Sequence, residues 1–109
     1  MKKIFSVESV ADDLKIILRE KPGLIKNIGI FGSLARGDFN KKSDIDLLVE
    51  YDVPPIFSLD TFHMYCWLCN VIRETLKNTY HRSVDIVHIE DGSLDSLYDP
   101  DAKNEVIWI

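Results

Sequence analysis

Three short apolar runs, separated by spacers of very different length, limit what this chain can fold into. The first run, residues 24–31, is closed by Gly32-Ser33, and a polar turn at 37–43 leads into the second run, residues 45–49. The third run, residues 83–89, alternates apolar and polar positions. Runs of this length that are bounded by turn residues predict β-strands rather than helices.

A helical pattern precedes the first apolar run. Apolar residues recur at spacings of three and four between Val7 and Leu18, which predicts an amphipathic helix. Ser6 is the expected N-cap of this helix, and Pro22-Gly23 is expected to end the pattern.

A longer helical pattern joins the second and third runs. Pro54-Pro55 breaks the chain before it, and Ser58 or Asp60 is the expected cap. A short helix around 94–98, a turn at Asp99-Pro100 and a closing apolar group at 106–109 are expected after the third run. The apolar face predicted for the long helix consists of Leu59, Phe62, Cys66, Cys69, Ile72 and Leu76.

The spacers also predict how the strands pair. The short turn between the first two runs suits antiparallel neighbours, whereas the long helix suits a right-handed parallel crossover to the third run. The order helix, strand, turn, strand, helix, strand predicts a single α/β or α+β domain over residues 1–109. In its mixed sheet, strands 1 and 2 are antiparallel and strands 2 and 3 are parallel.

Three aspartates lie where this topology brings strand ends together. Asp44 and Asp46 share one face of a strand because alternate side chains point the same way, and Asp85 lies near the start of the next parallel strand. Grouped carboxylates raise one another's pKa values unless a cation offsets their charge. Magnesium, with oxygen ligands and substrate phosphates, meets that need. Asp44, Asp46 and Asp85 are therefore the candidate metal ligands and catalytic residues.

Gly32-Ser33 is the candidate phosphate-binding element. A glycine lets the backbone approach a phosphate closely, and the start of a following helix directs free N–H groups toward it. Ser33 adds a hydroxyl donor. Arg36 either faces the triphosphate or binds a carboxylate such as Asp38, and the sequence leaves both roles open. Asp38 itself is interpreted as a turn or capping residue.

Charge and hydropathy exclude several other classes of protein. The net charge is −5 and the longest basic runs have two residues, which argues against direct binding of nucleic acid. No apolar stretch reaches the roughly 18 residues that span a bilayer, and acidic residues interrupt any signal-peptide pattern near the start. The sequence predicts a cytoplasmic protein that does not enter a membrane.

The remaining polar and aromatic residues favour packing roles. Cys66-x-x-Cys69 with His63 is spaced like a metal or redox motif, but both cysteines fall on the predicted apolar face and no second pair exists. His63, His81 and His88 have no partners typical of catalysis, so surface or packing roles are predicted. Core packing and a partner interface are equally consistent with Tyr65, Trp67, Phe57 and the group at 106–109.

Gly32-Ser33, ten intervening residues and Asp44-Ile45-Asp46 together resemble the signature of the DNA polymerase beta-like nucleotidyltransferase superfamily. The longer segments 29–38 and 43–49 look like its minimal nucleotidyltransferase (MNT) branch, and 83–87 is similar to the segment that carries the third carboxylate. The resemblance extends from the first helix to about Ile89, and the last twenty residues match only loosely.

This resemblance implies the α+β nucleotidyltransferase fold, with an α-β-α-β-α-β core. It also implies a magnesium-dependent enzyme that transfers AMP from ATP, or another nucleotide from its triphosphate. Asp44 and Asp46 are the implied ligands of two Mg²⁺ ions, and Asp85 would bind the catalytic ion and help to activate the acceptor hydroxyl. Gly32, Ser33 and Arg36 are the implied nucleotide contacts. Members of this branch are often antitoxins that modify a tyrosine of a HEPN-domain toxin, which makes such a toxin the implied partner.

Two other functions are weighed against this one. A non-catalytic antitoxin would block its toxin by contact alone, but all three aspartates are present. A nucleotidyltransferase that acts on a small molecule usually has an added helical domain, for which 109 residues leave no space within this chain. The nucleotide, the acceptor, the number of nucleotides transferred and the oligomeric state, including a homo-oligomer, stay open at this point.

Overall fold

A computed structural model describes residues 4–19, 25–51, 59–90 and 105–109 of the chain. The elements confirm the predicted α-β-α-β-α-β order and add a short final strand. They are α1 (Val7–Arg19), β1 (Asn27–Phe31), α2 (Gly32–Arg36), β2 (Ile45–Tyr51), α3 (Leu59–Tyr80), β3 (Val84–Glu90) and β4 (Ile107–Trp108).

The strands form one mixed sheet in the order β3-β2-β1-β4. β1 pairs antiparallel with β2, and β2 pairs parallel with β3, as the spacer lengths predict. The group at 106–109, expected only to be apolar, contains β4, which pairs antiparallel with β1 and places Trp108 opposite Gly29. The predicted helix at 94–98 and the turn at Asp99-Pro100 lie outside the described residues.

The start of α1 follows the predicted cap. The hydroxyl of Ser6 accepts the N–H of Ser9 at 3.1 Å, and the carbonyl of Ser6 accepts the N–H of Val10 at 3.0 Å. Val10 and Leu14, on the apolar stripe, are fully buried. The helix ends at Arg19, while Pro22-Gly23 lies outside the described residues.

The predicted apolar face of α3 is wrong at two positions, because Phe62 and Cys66 are exposed. The buried residues instead recur at spacings of three and four residues from Tyr65 onward. Tyr65 can belong to it because its hydroxyl lies 2.6 Å from Nδ1 of His88 on β3, so its polar atom has a partner. The buried residues of α3 are Tyr65, Leu68, Cys69, Ile72, Leu76 and Tyr80.

Strand boundaries also differ from those predicted. β1 begins at Asn27 rather than at residue 24, β2 continues to Tyr51, and β3 starts one residue late and continues to Glu90. β2 extends through the buried Glu50 because the amide of Asn27 donates to that carboxylate at 2.7 Å. A buried charge needs such a partner. The sequence-based prediction, which follows apolar runs, ends the strand at Val49, just before Glu50.

The two faces of the sheet have different roles. Ile45, Leu47 and Val49 of β2 belong to the buried core with Val10 and Leu14 of α1. The intervening positions of β2 point to the opposite face, because side chains alternate along a strand. Acidic residues at those positions therefore lie on the face opposite the core.

A buried hydrogen bond joins α1 to α3. The hydroxyl of Tyr80 donates to the carboxylate of Asp13 at 2.6 Å. Burial, with this hydrogen bond as the next cause, raises the pKa of Tyr80 to about 12, so the hydroxyl stays a donor at neutral pH.

Within the described residues, every helix is too short or too polar to cross a bilayer.

We expect Leu68→Ala to lower the free energy of unfolding by about 2–5 kcal/mol because a buried side chain leaves a cavity. Met64→Ala, four residues earlier on α3, should change it by less than about 0.5 kcal/mol, since Met64 is 46% exposed while Leu68 is 1% exposed. Urea denaturation followed by circular dichroism measures both. Equal losses would contradict the buried face of α3 described above.

Candidate active site

Two of the three candidate carboxylates are direct neighbours in the sheet. Asp46 of β2 and Asp85 of β3 are partners in the parallel register, so they lie side by side on one face. Asp44 comes just before the first residue of β2. The register therefore places Asp46 beside Asp85, with Asp44 two residues before Asp46 in the chain.

The three carboxylates interact electrostatically. Burial raises the pKa of Asp46, and the charges of Asp85 and Asp44 raise it further. Arg36 acts in the opposite direction and lowers the pKa of Asp46. The site thus holds more negative charge than its own cation offsets, and a bound cation would relieve that repulsion.

The donor set fits a hard divalent cation. Asp44, Asp46 and Asp85 offer carboxylate oxygens only, which suits Mg²⁺. Among the described residues, no three His, Cys, Asp or Glu side chains already stand close enough together to hold an ion. The aspartate side chains would have to turn toward a shared ion in order to bind it, and their role as ligands stays a prediction.

Gly32 lies against Asp46 at the point where β1 becomes α2. Phe31 is the register partner of Asp46, and the next residue, Gly32, has a φ of +73°. A Cβ atom at Gly32 would clash with the carboxylate of Asp46. Glycine is therefore required here both by the backbone conformation and by the carboxylate beside it.

Ser33 occupies the first turn of α2. Its carbonyl accepts the N–H groups of Gly37 at 2.9 Å and Asp38 at 3.2 Å, which closes the helix. The N-cap, Phe31, makes no side-chain hydrogen bond to the N–H groups at the start of α2. The predicted contacts of Gly32 and Ser33 with phosphate stay predictions that this geometry allows.

Arg36 pairs with carboxylates, one of the two roles that the sequence left open. Its Nε donates to Asp38 at 3.1 Å and its Nη1 donates to Glu105 at 3.0 Å. These two hydrogen bonds raise the pKa of Arg36. Sequence reasoning missed Glu105, because it lies 69 positions away and carries no local signal. A contact between Arg36 and a nucleotide stays a prediction.

The turn before Asp44 is built by its own side chains. The hydroxyl of Ser43 accepts the N–H of Asn40 at 2.8 Å, and the side-chain oxygen of Asn40 accepts the N–H of Lys42 at 2.8 Å. Such local hydrogen bonds define tight turns. Arg82 also binds this turn, a contact that sequence reasoning missed because an arginine near a strand carries no distinctive pattern.

The cysteines and histidines do not form a second site with the carboxylates. Cys66 is exposed and Cys69 is buried, so the prediction that both lie on the apolar face is wrong for Cys66. Burial is the main cause that raises the pKa of Cys69, which favours packing over redox chemistry for this thiol. His63 and His81 are exposed, as expected for surface residues.

Comparison with known proteins identifies the family. Residues 11–98 match the family described as "Nucleotidyltransferase domain". The chain belongs to this family. As a member of it, the protein is a nucleotidyltransferase, an enzyme whose substrate is a nucleoside triphosphate, and the resemblance seen in the sequence is confirmed.

Several relatives carry more specific names. The chain is 38% identical over 88 residues to "Putative protein adenylyltransferase MJ0128" of Methanocaldococcus jannaschii, a match that covers 73% of this chain and 88% of the relative. It is 41% identical over 49 residues to "Protein adenylyltransferase MntA" of Thermococcus cleftensis, which covers 45% of this chain and 48% of the relative. A crystal structure of "a putative nucleotidyltransferase" from Sulfolobus solfataricus aligns with a TM-score of 0.49 and 20% identity over 92% of this chain and 76% of that one.

We expect Gly32→Ala to reduce nucleotidyl transfer by about a hundredfold, because the new methyl group displaces the carboxylate of Asp46. Gly37→Ala is the matched control: its φ is +85°, but nothing lies within 4 Å of the added methyl group. Both variants should lose roughly 1–2 kcal/mol of stability through backbone strain. Release of pyrophosphate and thermal melting measure the two effects, and equal activities would contradict the role given to Gly32.

We expect Asp46→Asn to raise the melting temperature at pH 7 in EDTA. The folded protein binds a proton at Asp46 more tightly than the unfolded chain does, so wild-type stability falls as pH rises above the ordinary pKa of 3.8. The asparagine variant avoids this loss, and its advantage should vanish below about pH 4. Calorimetry across this range measures the effect. A lower melting temperature for the variant at pH 7 would contradict the repulsion inferred at this site.

Proposed function

We propose that this domain is a magnesium-dependent enzyme that transfers AMP from ATP to a hydroxyl group of a protein. The observation that supports it most directly is the register that sets Asp46 beside Asp85, with Gly32 against the same carboxylate. The names of the relatives as protein adenylyltransferases favour AMP as the group transferred and a protein as its acceptor.

In this proposal the chain's residues share the work of positioning. Asp44 and Asp46 would hold two Mg²⁺ ions, and Asp85 would hold one of them and face the acceptor. The ions would supply charge stabilisation at the phosphates and lower the pKa of the acceptor hydroxyl. Asp85 is more exposed than Asp46, so an incoming hydroxyl can reach it.

The reaction is a displacement at the α-phosphorus. The acceptor oxygen forms the new P–O bond, the bond to pyrophosphate breaks, and the hydroxyl proton passes toward Asp85 or solvent. Gly32 and Ser33 bind the phosphate tail through backbone N–H groups and the Ser33 hydroxyl. Arg36 can exchange an exposed carboxylate partner for a phosphate oxygen, because exposed ion pairs contribute little stability.

We further propose that the acceptor is a tyrosine of a HEPN-domain toxin and that the domain acts as its antitoxin. The support is the resemblance of segments 29–38, 43–49 and 83–87 to the MNT branch, together with the relative named MntA. A tyrosine hydroxyl suits this site because it ionises more readily than an aliphatic hydroxyl, and a bound metal ion would lower its pKa further.

The test is a transfer assay with the purified chain, Mg²⁺, a HEPN protein and α-labelled ATP, GTP, CTP or UTP. We expect label on a tyrosine of the partner with ATP, no transfer in EDTA, and a loss of at least about a hundredfold in Asp44→Asn, Asp46→Asn or Asp85→Asn, since each removes a charged metal ligand. Asp12→Asn, on the exposed face of α1, is the matched control and should retain full activity.

Two outcomes would contradict the proposal. Full transfer by Asp46→Asn and Asp85→Asn would show that these carboxylates do not carry the chemistry. Neutralisation of the toxin by a double Asp44→Asn, Asp46→Asn variant would favour the alternative of an antitoxin that acts by binding alone.

A further inference from the structure

Arg82 bridges two parts of the chain that carry the carboxylates. It lies between α3 and β3, and its Nη1 donates to the carbonyl of Asn40 at 2.6 Å and to the carbonyl of Ser43 at 2.8 Å. Both carbonyls belong to the turn that leads directly into Asp44. One nitrogen of Arg82 therefore holds both ends of that turn.

The guanidinium of Arg82 also packs against an aromatic ring, that of Phe5. Its Cζ lies 3.8 Å from the centre of the Phe5 ring, a distance typical of stacking between a cation and an aromatic face. Phe5 is held in turn by edge contacts with Phe39 at 4.9 Å and Tyr80 at 5.5 Å between ring centres. The side chain of Arg82 thus has little freedom to leave the turn.

The contacts of Arg82 couple the positions of carboxylates on two strands. The N–H of Ile45 donates to the carbonyl of Ser83 at 2.9 Å, so β2 and β3 begin side by side. Arg82 lies three residues before Asp85 and binds the turn that ends one residue before Asp44. A shift of this turn would move Asp44 relative to Asp85.

From these contacts we infer that Arg82 is a positioning residue for the metal site, which sets the separation of Asp44 from Asp85 through the backbone at 40–43. This inference rests on the proposed function. Outer groups that orient metal ligands commonly change metal affinity by about 10–100-fold when they are lost.

The test measures binding of Mn²⁺, a spectroscopic substitute for Mg²⁺, by electron paramagnetic resonance. The protein is saturated with an ATP analogue whose α,β-bridge is methylene, so that no transfer occurs. We expect Arg82→Met to weaken Mn²⁺ binding about tenfold or more. Arg82→Lys should weaken it less, because an ammonium can bridge the two carbonyls but cannot stack on Phe5 as a planar group.

Tyr80→Phe is the matched control for stability. It removes the hydroxyl that donates to Asp13 while keeping the ring that contacts Phe5. This variant should lower the melting temperature and leave Mn²⁺ affinity within about twofold of wild type, because the change in fold stability does not reach the turn.

The outcomes separate the inference from the proposed function. Wild-type Mn²⁺ affinity in folded Arg82→Met, or an equal loss of affinity in Tyr80→Phe, would overturn the role of Arg82. If Arg82→Met does not fold, Arg82→Lys and Arg82→Gln decide the matter: wild-type affinity in both overturns the inference. Unchanged Mn²⁺ binding in Asp46→Asn would instead overturn the proposed metal site itself.

Discussion

The repulsion between Asp46 and Asp85 is the constraint on which the site depends. Parallel pairing of β2 with β3 sets these carboxylates side by side, and the charges of Asp85 and Asp44 raise the pKa of Asp46. A fold selected for stability alone would avoid this arrangement. Its presence on the face opposite the core supports the proposal that this face binds a cation.

Asp46 lies on β2, an interior strand of the sheet. β2 has hydrogen-bonded neighbours on both sides, β1 and β3, and its apolar positions lie in the core with α1 and α3. The position of Asp46 is therefore fixed by buried packing on one side of the strand. The phosphate-binding candidates, Gly32 and Ser33, follow directly from β1. The end of β1 and the start of β2 are paired, so they position both halves of the site.

The sequence predicts those features that arise from periodicity and spacer length. The pairing of β1, β2 and β3 and the placement of Asp46 beside Asp85 follow from a short turn, a long helix and alternation along a strand. The buried face of α3 does not, because the sequence leaves Tyr65 open between core packing and a partner interface, and only the fold places His88 beside its hydroxyl.

Long-range polar contacts are the other part that the sequence does not predict. The ion pair of Arg36 with Glu105 and the hydrogen bonds of Arg82 to the turn join residues far apart in the chain. Neither has a periodic or local signal, and each depends on the final three-dimensional fold. The pairing of β4 with β1 belongs to the same class, since two residues are too few for a strand pattern.

That last pairing affects how the protein folds. β1 pairs with β2 on one side and with β4 on the other. Its two neighbours therefore come from the middle and from the far end of the described chain. Closing a long loop costs entropy before its contacts can form. The β1–β2–β3 unit, with shorter loops, is therefore expected to assemble early, and the ion pair between Glu105 and Arg36 to form as a late step in folding.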